Sequence, residues 1–156
     1  MNALKRIAAL ILVLAMTAAL AACGGKSVSS IDAQALANEL MEKVDFVDEL
    51  NQISPEMVSK LYGIDNAEES YVYMGSGATA EEVAVFKFAD EQAAKDGLAK
   101  AEQRIASQKD SFANYIPEEV ARLDNAVIKQ SGEYLAVCVS EGSTAAEIIS
   151  RYDTSL

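Results

Sequence analysis

Histidine is absent from this sequence of 156 residues. Its absence excludes the Ser-His-Asp and Cys-His arrangements that activate a nucleophile, and it excludes zinc sites built on imidazole. A serine could still be activated by a lysine, but no Ser-x-x-Lys spacing occurs after residue 22. The commonest routes to covalent catalysis are therefore closed to this chain.

Cysteine is nearly absent, since only Cys23 and Cys138 occur. If lipid occupies Cys23, as argued below, Cys138 has no partner and no disulfide framework is possible. Cys138 lies in the apolar run 134–139, which is typical of a buried strand. No basic neighbour in sequence would lower its pKa, so we expect a small buried side chain and not a reactive thiol.

Positive charge is also scarce, with 13 basic residues against 24 acidic ones and a net charge of −11. Removal of residues 1–22, which hold two basic residues and no acid, leaves 11 basic against 24 acidic residues, a formal charge of −13. Such a surface repels nucleic acid and anionic lipid headgroups. We therefore expect no nucleic-acid partner, and contact with a membrane through lipid and not through a basic face.

No apolar run is long enough to span a bilayer, which needs ~20 residues. Lys5 and Arg6 precede an apolar run at 7–14, and small residues fill most of 15–22. This order is typical of a secretory signal peptide. The segment ends in Leu20-Ala21-Ala22-Cys23, which matches the lipobox of bacterial lipoproteins.

We therefore predict a lipoprotein signal peptide at 1–22, a lipidated Cys23 with a polar tether at 23–30, and a single domain at 31–156. Two or more acyl chains, palmitate among them, at ~0.8 kcal/mol per buried methylene would hold the protein on the outer face of the cell membrane. The alternatives are an ordinary secretory signal followed by a chance cysteine and an uncleaved transmembrane helix. The short apolar run disfavours the second.

Five helices are predicted from periodicity and capping signals. They begin at Ile31 after a Ser30 cap, at Pro55 after a Ser54 cap, at about Asp90, at about Ile116, and at a Thr144-Ala145-Ala146-Glu147 capping box. In the first helix Leu36, Leu40, Val44 and Val47 are expected on one buried face. In the third, the charged side chains are expected to face water: Lys95, Lys100, Glu102, Arg104 and Lys109.

Two hairpins are predicted, one pairing 71–74 with 83–88 and the other pairing 127–128 with 134–139. Hairpins separated by helices indicate an α+β fold, in the order helix-hairpin-helix-hairpin-helix. We expect an antiparallel sheet of about four strands that is packed with helices and covered on one side.

The central loop and the acidic doublets contain the remaining groups that could carry chemistry. Gly75-Ser76-Gly77 lacks the strand-turn-helix context of a nucleophile elbow, which disfavours a catalytic Ser76. The doublets Glu68-Glu69, Glu81-Glu82 and Glu118-Glu119 are expected on the solvated surface, with a calcium site as the alternative. A hydrolase could still use two of these carboxylates, because sequence does not set the ~5–10 Å separation that such chemistry needs.

Four tyrosines form the candidate ligand surface. Tyr71 and Tyr73 are two residues apart on a strand and therefore share a face. With Tyr62 and Tyr115 they could line a cleft. The alternative is that they cover the core while their hydroxyls reach water. No metal and no cofactor is predicted.

Several segments resemble a known family. They are the run from Gly75 to Phe86 (GSGATAEEVAVF), Arg104-Ile105 with Gln108, Phe112 with Tyr115-Ile116-Pro117, and 125–128 leading to Gly132-Glu133-Tyr134. Together they resemble the small lipoproteins of Firmicutes that are grouped as domain of unknown function four-three-five-eight, over about Ala33 to Tyr152. The resemblance implies a lipoprotein with an independent α+β domain. It carries no known chemistry and assigns no catalytic residue.

The sequence thus favours a membrane-anchored, extracytoplasmic lipoprotein that acts as a non-catalytic binding or accessory module. The expected partners are the membrane, through Cys23, and another envelope protein. A carboxylate-based hydrolase and a lipoprotein that binds a small molecule or a cation are the alternatives.

Overall fold

The computed structural model describes residues 31–152, so the predicted signal peptide, Cys23 and the tether lie outside the described residues. The helices are α1 (Ala33–Lys43), α2 (Pro55–Tyr62), α3 (Glu91–Ala113), α4 (Glu118–Asp124) and α5 (Thr144–Arg151). The strands are β1 (Asn51–Gln52), β2 (Glu69–Met74), β3 (Glu82–Lys87), β4 (Val127–Ser131) and β5 (Tyr134–Val139). The predicted α+β class is confirmed.

All strand pairs in the sheet are antiparallel, and the strand order is β1-β2-β3-β5-β4. Both predicted hairpins are confirmed, as β2-β3 and β4-β5. The sheet has five strands where about four were expected. The additional strand, β1, consists of two exposed polar residues that pair with Met74 and Tyr73, so it has no apolar alternation by which sequence could reveal it.

Helices cover both faces of the sheet, so the expectation of one covered side is wrong. Val83 and Val85 of β3 pack with α1 and α5, whereas Ala84 and Phe86 pack with α2, α3 and α4. Every residue of β5 is buried. A continuous apolar strand, in contrast to an alternating one, indicates burial on both faces.

The helix boundaries follow the predicted capping signals, with small shifts. Ser54 caps α2 by accepting a hydrogen bond from the Met57 N–H at 3.3 Å, and Gly63 ends this helix with φ 67°. Asp90 caps α3. Asp32 caps α1, because its carboxylate accepts the Ala35 N–H at 2.9 Å, and the predicted cap Ser30 lies outside the described residues.

Two further expectations about helix ends need correction. Ser143 occupies the cap position of α5, and its hydroxyl donates to Glu147, so Thr144 is the first helical residue. Val47 lies beyond the end of α1 and is 75% exposed. The helix ends at Lys43, where Val44 takes an extended backbone conformation, and the N–H of Val47 donates to the carboxylate of Glu81.

Candidate functional site

An open groove of about 380 Å³ lies between the end of α2 and the middle of α3. This volume falls within the range of sites that bind small molecules, ≈ 300–1,000 Å³. Its lining residues come from these two segments only: Leu61, Tyr62, Gly63, Lys100, Gln103, Arg104, Ser107, Gln108 and Ser111. The α3 residues recur at three- and four-residue spacing, which places them along one side of the helix.

The floor of the groove is a buried cluster of Tyr62, Glu82 and Arg104. Arg104 Nη2 lies 2.7 Å from Glu82 Oε2, and the Tyr62 hydroxyl donates to Glu82 Oε1 at 2.9 Å. The guanidinium also lies over the Tyr62 ring, 4.7 Å from its centroid. The side chains of Glu82 and Arg104 are only 1% and 11% exposed. The ion pair with Glu82 and the contact with the Tyr62 ring therefore hold Arg104 in one position.

The electrostatics of this cluster keep Tyr62 and Arg104 in their ordinary protonation states at neutral pH. Burial raises the pKa of Tyr62 well above 10.0, and the charge of Glu82 raises it further. Burial alone would lower the pKa of Arg104, but the attraction of Glu82 outweighs burial and the pKa is raised. Tyr62 thus remains a hydrogen-bond donor and Arg104 remains a cation.

Two cationic side chains of α3 contact the carbonyl end of α2. Lys100 Nζ donates to the Gly63 carbonyl at 2.7 Å, and Arg104 Nη1 makes a longer contact of 3.5 Å to the Leu61 carbonyl. Positive charge is favourable at this end of a helix, where carbonyls lack partners. These contacts fix the width of the groove.

One polar atom at the groove is unsatisfied. Gln108 Oε1 is shielded from solvent and accepts no hydrogen bond from any of residues 31–152. A buried acceptor without a donor costs about 1–3 kcal/mol, so such atoms are rare in folded proteins.

A second buried cluster surrounds Arg122. Its Nη1 lies 2.8 Å from Glu119 and 3.5 Å from Glu81, and its Nη2 lies 2.8 Å from Glu141. Glu81 also accepts the N–H of Val47 and of Asp48, and Glu119 accepts the N–H of Ala80 at 2.8 Å. A cavity of about 300 Å³ adjoins this cluster. The cluster joins the loop after α1, the β2-β3 loop, α4 and the loop after β5.

The expectation that the acidic doublets lie on the solvated surface is wrong for Glu81, Glu82 and Glu119, which are 2%, 1% and 7% exposed. The expectation that Arg104 faces water is also wrong, because its side chain is only 11% exposed. Each buried carboxylate is compensated by an arginine and by N–H or O–H donors, which offsets the cost of its burial. Glu81 and Glu82 contact different arginines, so the adjacent pair forms no carboxylate dyad.

The burial of some of these charged residues is indicated by their spacing from apolar residues in the sequence. Glu82 is in phase with Ala84 and Phe86, which lie on one buried face of β3. Arg104 lies between Ala101 and Ile105 on the buried stripe of α3. Glu119 lies four residues before Leu123, the other buried residue of α4, so it shares that buried side of the helix, whereas its partner Ala80 is distant in sequence.

The four tyrosines of the predicted ligand surface do not meet in one cleft. Tyr62 lines the groove. Tyr71 and Tyr73 share a face, as expected, but this is the α1 side of the sheet, where both are half-buried. Tyr71 donates to Glu69 at 3.2 Å. Tyr115, which is 75% exposed, follows α3.

The surroundings of Ser76 and Cys138 indicate structural roles for both residues. The N–H and the hydroxyl of Ser76 both donate to Asp48 Oδ2 at 2.8 Å, which connects the β2-β3 loop to the loop after α1. Cys138 is a free cysteine with no exposed surface. Burial raises the pKa of its thiol to about 12, so it is not a nucleophile at neutral pH.

Among residues 31–152, no three or more acids or cysteines are grouped so that they could hold a metal ion. Within the same range, no helix is both long and apolar enough to cross a membrane.

The comparison with protein families finds a match. The model of a domain of unknown function, DUF4358, matches residues 42–140, which is more than half of the chain and runs from the end of α1 to the residue after β5. No curated protein and no solved structure matches the chain significantly.

Proposed function

The chain belongs to the DUF4358 family, and we propose that it is a non-catalytic binding or accessory module, held on the outer face of the cell membrane by lipid on Cys23. The proposal includes cleavage after residue 22 and a kinship with the small lipoproteins of Firmicutes. Its binding surface is the groove between α2 and α3. Its partners are the membrane, through Cys23, and another envelope protein.

The single observation that carries the anchor is the sequence Leu20-Ala21-Ala22-Cys23 after a charged start and an apolar run. Small residues before the cysteine suit the subsites of a lipoprotein signal peptidase. The diacylglycerol on the sulfur would then replace the signal peptide as the attachment to the membrane.

The chemistry of the buried acids supports a non-catalytic role. A hydrolase needs two carboxylates that face a substrate, one of them able to change its protonation state. Glu82 is instead enclosed by Arg104 and Tyr62, and Glu81 and Glu119 are bound by Arg122 and by backbone N–H groups. These acids organise loops and helices.

The positions of exposed residues along the sheet support a partner at the end of the domain that is opposite to the predicted tether. Ile31 lies at the end of the sheet that carries Tyr134, which pairs with Lys87 at the end of β3. Val47 lies at the opposite end, since its N–H contacts Glu81 just before β3. Tyr115 lies two residues after the end of α3 and four residues before Glu119, which accepts the N–H of Ala80 just before β3.

Two exposed apolar side chains, Val47 and Tyr115, thus lie at the end of the sheet opposite to the predicted tether. The buried cluster of Arg122 fixes the backbone near both. Exposed apolar side chains on rigid backbone are typical of residues that anchor protein interfaces.

Labelling with a palmitate analogue in a bacterial host tests the anchor. We expect the wild-type chain to take up the label and to sediment with membranes, and Cys23→Ser to lose both properties. Cys138→Ala is the matched control and should keep the label. Absence of label from the wild-type chain, or its retention in Cys23→Ser, would contradict the proposal.

Site-specific photocrosslinking tests the accessory role. A photoreactive residue at Val47 or Tyr115 should give discrete adducts with an envelope protein in intact cells. Gln34, which is exposed near the beginning of α1, is the control position. Identical adducts from all three positions, or none under several growth conditions, would argue against a specific partner at this end.

A further inference from the structure

We propose that the groove between α2 and α3 binds a small ligand that carries a carboxylate next to a hydrogen-bond donor. A free amino acid and the carboxyl end of a short peptide both have this chemistry. The inference rests on the proposed function only in treating the protein as a binding module, and it does not depend on the lipid anchor.

The charge of the groove is opposite to that of the chain. The net charge of the sequence is −11, yet the residues that line the groove include Lys100 and Arg104 and no acid. Glu82 beneath them is already bound to Arg104. Among residues 31–152, no carboxylate lies within ion-pair distance of Lys100, so its positive charge is available to an anion.

Lys100 also keeps unused donors. An ammonium group has three N–H donors, and the Gly63 carbonyl accepts only one of them. The contact with Gly63 holds Nζ at the lip of the groove. A ligand carboxylate could therefore bind without ordering a free lysine side chain, whose ordering costs affinity.

Arg104 presents a second donor in a fixed position. Its Nε and Nη2 are used by Glu82, whereas Nη1 has only the 3.5 Å contact to the Leu61 carbonyl. The stacking on Tyr62 prevents the guanidinium from turning away. Nη1 and Lys100 Nζ, one helical turn apart on α3, thus form a pair of donors suited to the two oxygens of a carboxylate.

Gln108 supplies the complementary acceptor. Its Oε1 accepts no hydrogen bond within residues 31–152, although its side chain lines the cavity. The last torsion of glutamine is soft, so the amide can turn toward a ligand in the groove. A ligand ammonium or hydroxyl one helical turn from the carboxylate-binding pair would then satisfy it.

The neighbouring groups of α3 are polar and uncharged. Gln103 and Ser107 are exposed in the same groove and can bind either a carbonyl or an N–H. Tyr62 is buried beneath Arg104 and offers no free ring for stacking. These surroundings favour a ligand with backbone-like polar groups over a sugar ring or an aromatic compound.

Titration of the purified full chain with alanyl-alanine, followed by amide NMR shifts, tests the inference. We expect shifts confined to 61–63 and 100–111. Alanyl-alanine amide, which lacks the carboxylate, should bind about tenfold more weakly or worse, since a hydrogen bond to a charged group contributes ≈ 1.5–3 kcal/mol.

Matched variants separate binding from folding. Lys100→Gln and Gln108→Leu should each weaken alanyl-alanine binding by about tenfold without changing the rest of the spectrum. Lys95→Gln, an exposed position on the same helix that is paired with Glu91, should bind as the wild type does. Absence of shifts at millimolar dipeptide, shifts outside the groove, or equal binding by the amide or by Lys100→Gln would overturn the inference. The lipid label of Cys23 is measured separately, so either proposal can fail alone.

Discussion

Arg104 and Glu82 form an ion pair, 2.7 Å long, between the middle of α3 and the first residue of β3. The pair is beneath the groove, and Tyr62 of α2 completes it through its hydroxyl and its ring. One charged contact therefore sets the positions of three elements.

The first prediction concerns this pair. Arg104→Met should lower the free energy of unfolding by about 3–5 kcal/mol, because it leaves the Glu82 carboxylate buried and without a counter-charge. Urea denaturation measures the change. The double variant Glu82→Leu with Arg104→Met should regain part of the loss, since no unpaired charge remains. A loss below about 1 kcal/mol in the single variant would show that the pair is not buried in solution.

The second prediction compares two adjacent acids. Glu119→Ala should destabilise the protein by about 1–3 kcal/mol, because the Ala80 N–H and Arg122 each lose an acceptor in a buried position. Glu118→Ala, at the exposed neighbouring position, should stay within about 0.5 kcal/mol of the wild type. Thermal or urea unfolding of both variants distinguishes them, and equal effects would argue against the buried cluster.

The third prediction is a pH dependence. The hydrogen bonds from the hydroxyl and the N–H of Ser76 hold the pKa of Asp48 below its usual 3.8. Because the folded-state pKa is the lower one, the stabilisation is complete above the unfolded value and is lost as the pH falls through the folded value. Carboxyl NMR titration should show a higher Asp48 pKa in Ser76→Ala than in the wild type.

Ser143→Ala is the control for this titration, because Ser143 contacts Glu147 and not Asp48. Its Asp48 pKa should equal that of the wild type. An unchanged Asp48 pKa in Ser76→Ala would mean that the two loops are not joined as described.

The fourth prediction concerns Cys138. In a Cys23→Ser chain it is the single thiol. With its pKa raised to about 12 by burial, it should resist iodoacetamide at pH 8 and react fully once the chain is unfolded in urea. Rapid labelling of the native chain would contradict its place in the core of the sheet.

Sequence patterns predicted the regular elements because those elements depend on local periodicity. The hairpins around β3 and β5 and the stretch from Ser54 to Gly63 follow directly from apolar runs, caps and glycine. The strand β1 was not predicted because its two polar residues show no alternation of apolar and polar side chains.

The groove was beyond such reasoning, because it depends on pairs that are distant in the chain. The partners of Glu82 are 20 and 22 residues away, and Glu119 binds an N–H 39 residues away. Tyr62 was the single member of the predicted tyrosine surface that the structure places in the groove. Local sequence shows that a polar residue occupies a position whose spacing predicts burial. Only the fold identifies the oppositely charged residue that pairs with it.

The most direct test of the proposed anchored module is the intact mass of the chain extracted from membranes of an expressing bacterium. We expect a chain that begins at Cys23 and carries the added mass of a diacylglyceryl group and its acyl chains. A chain that still begins at Met1, or one that begins at Cys23 without lipid, would contradict the proposed anchor.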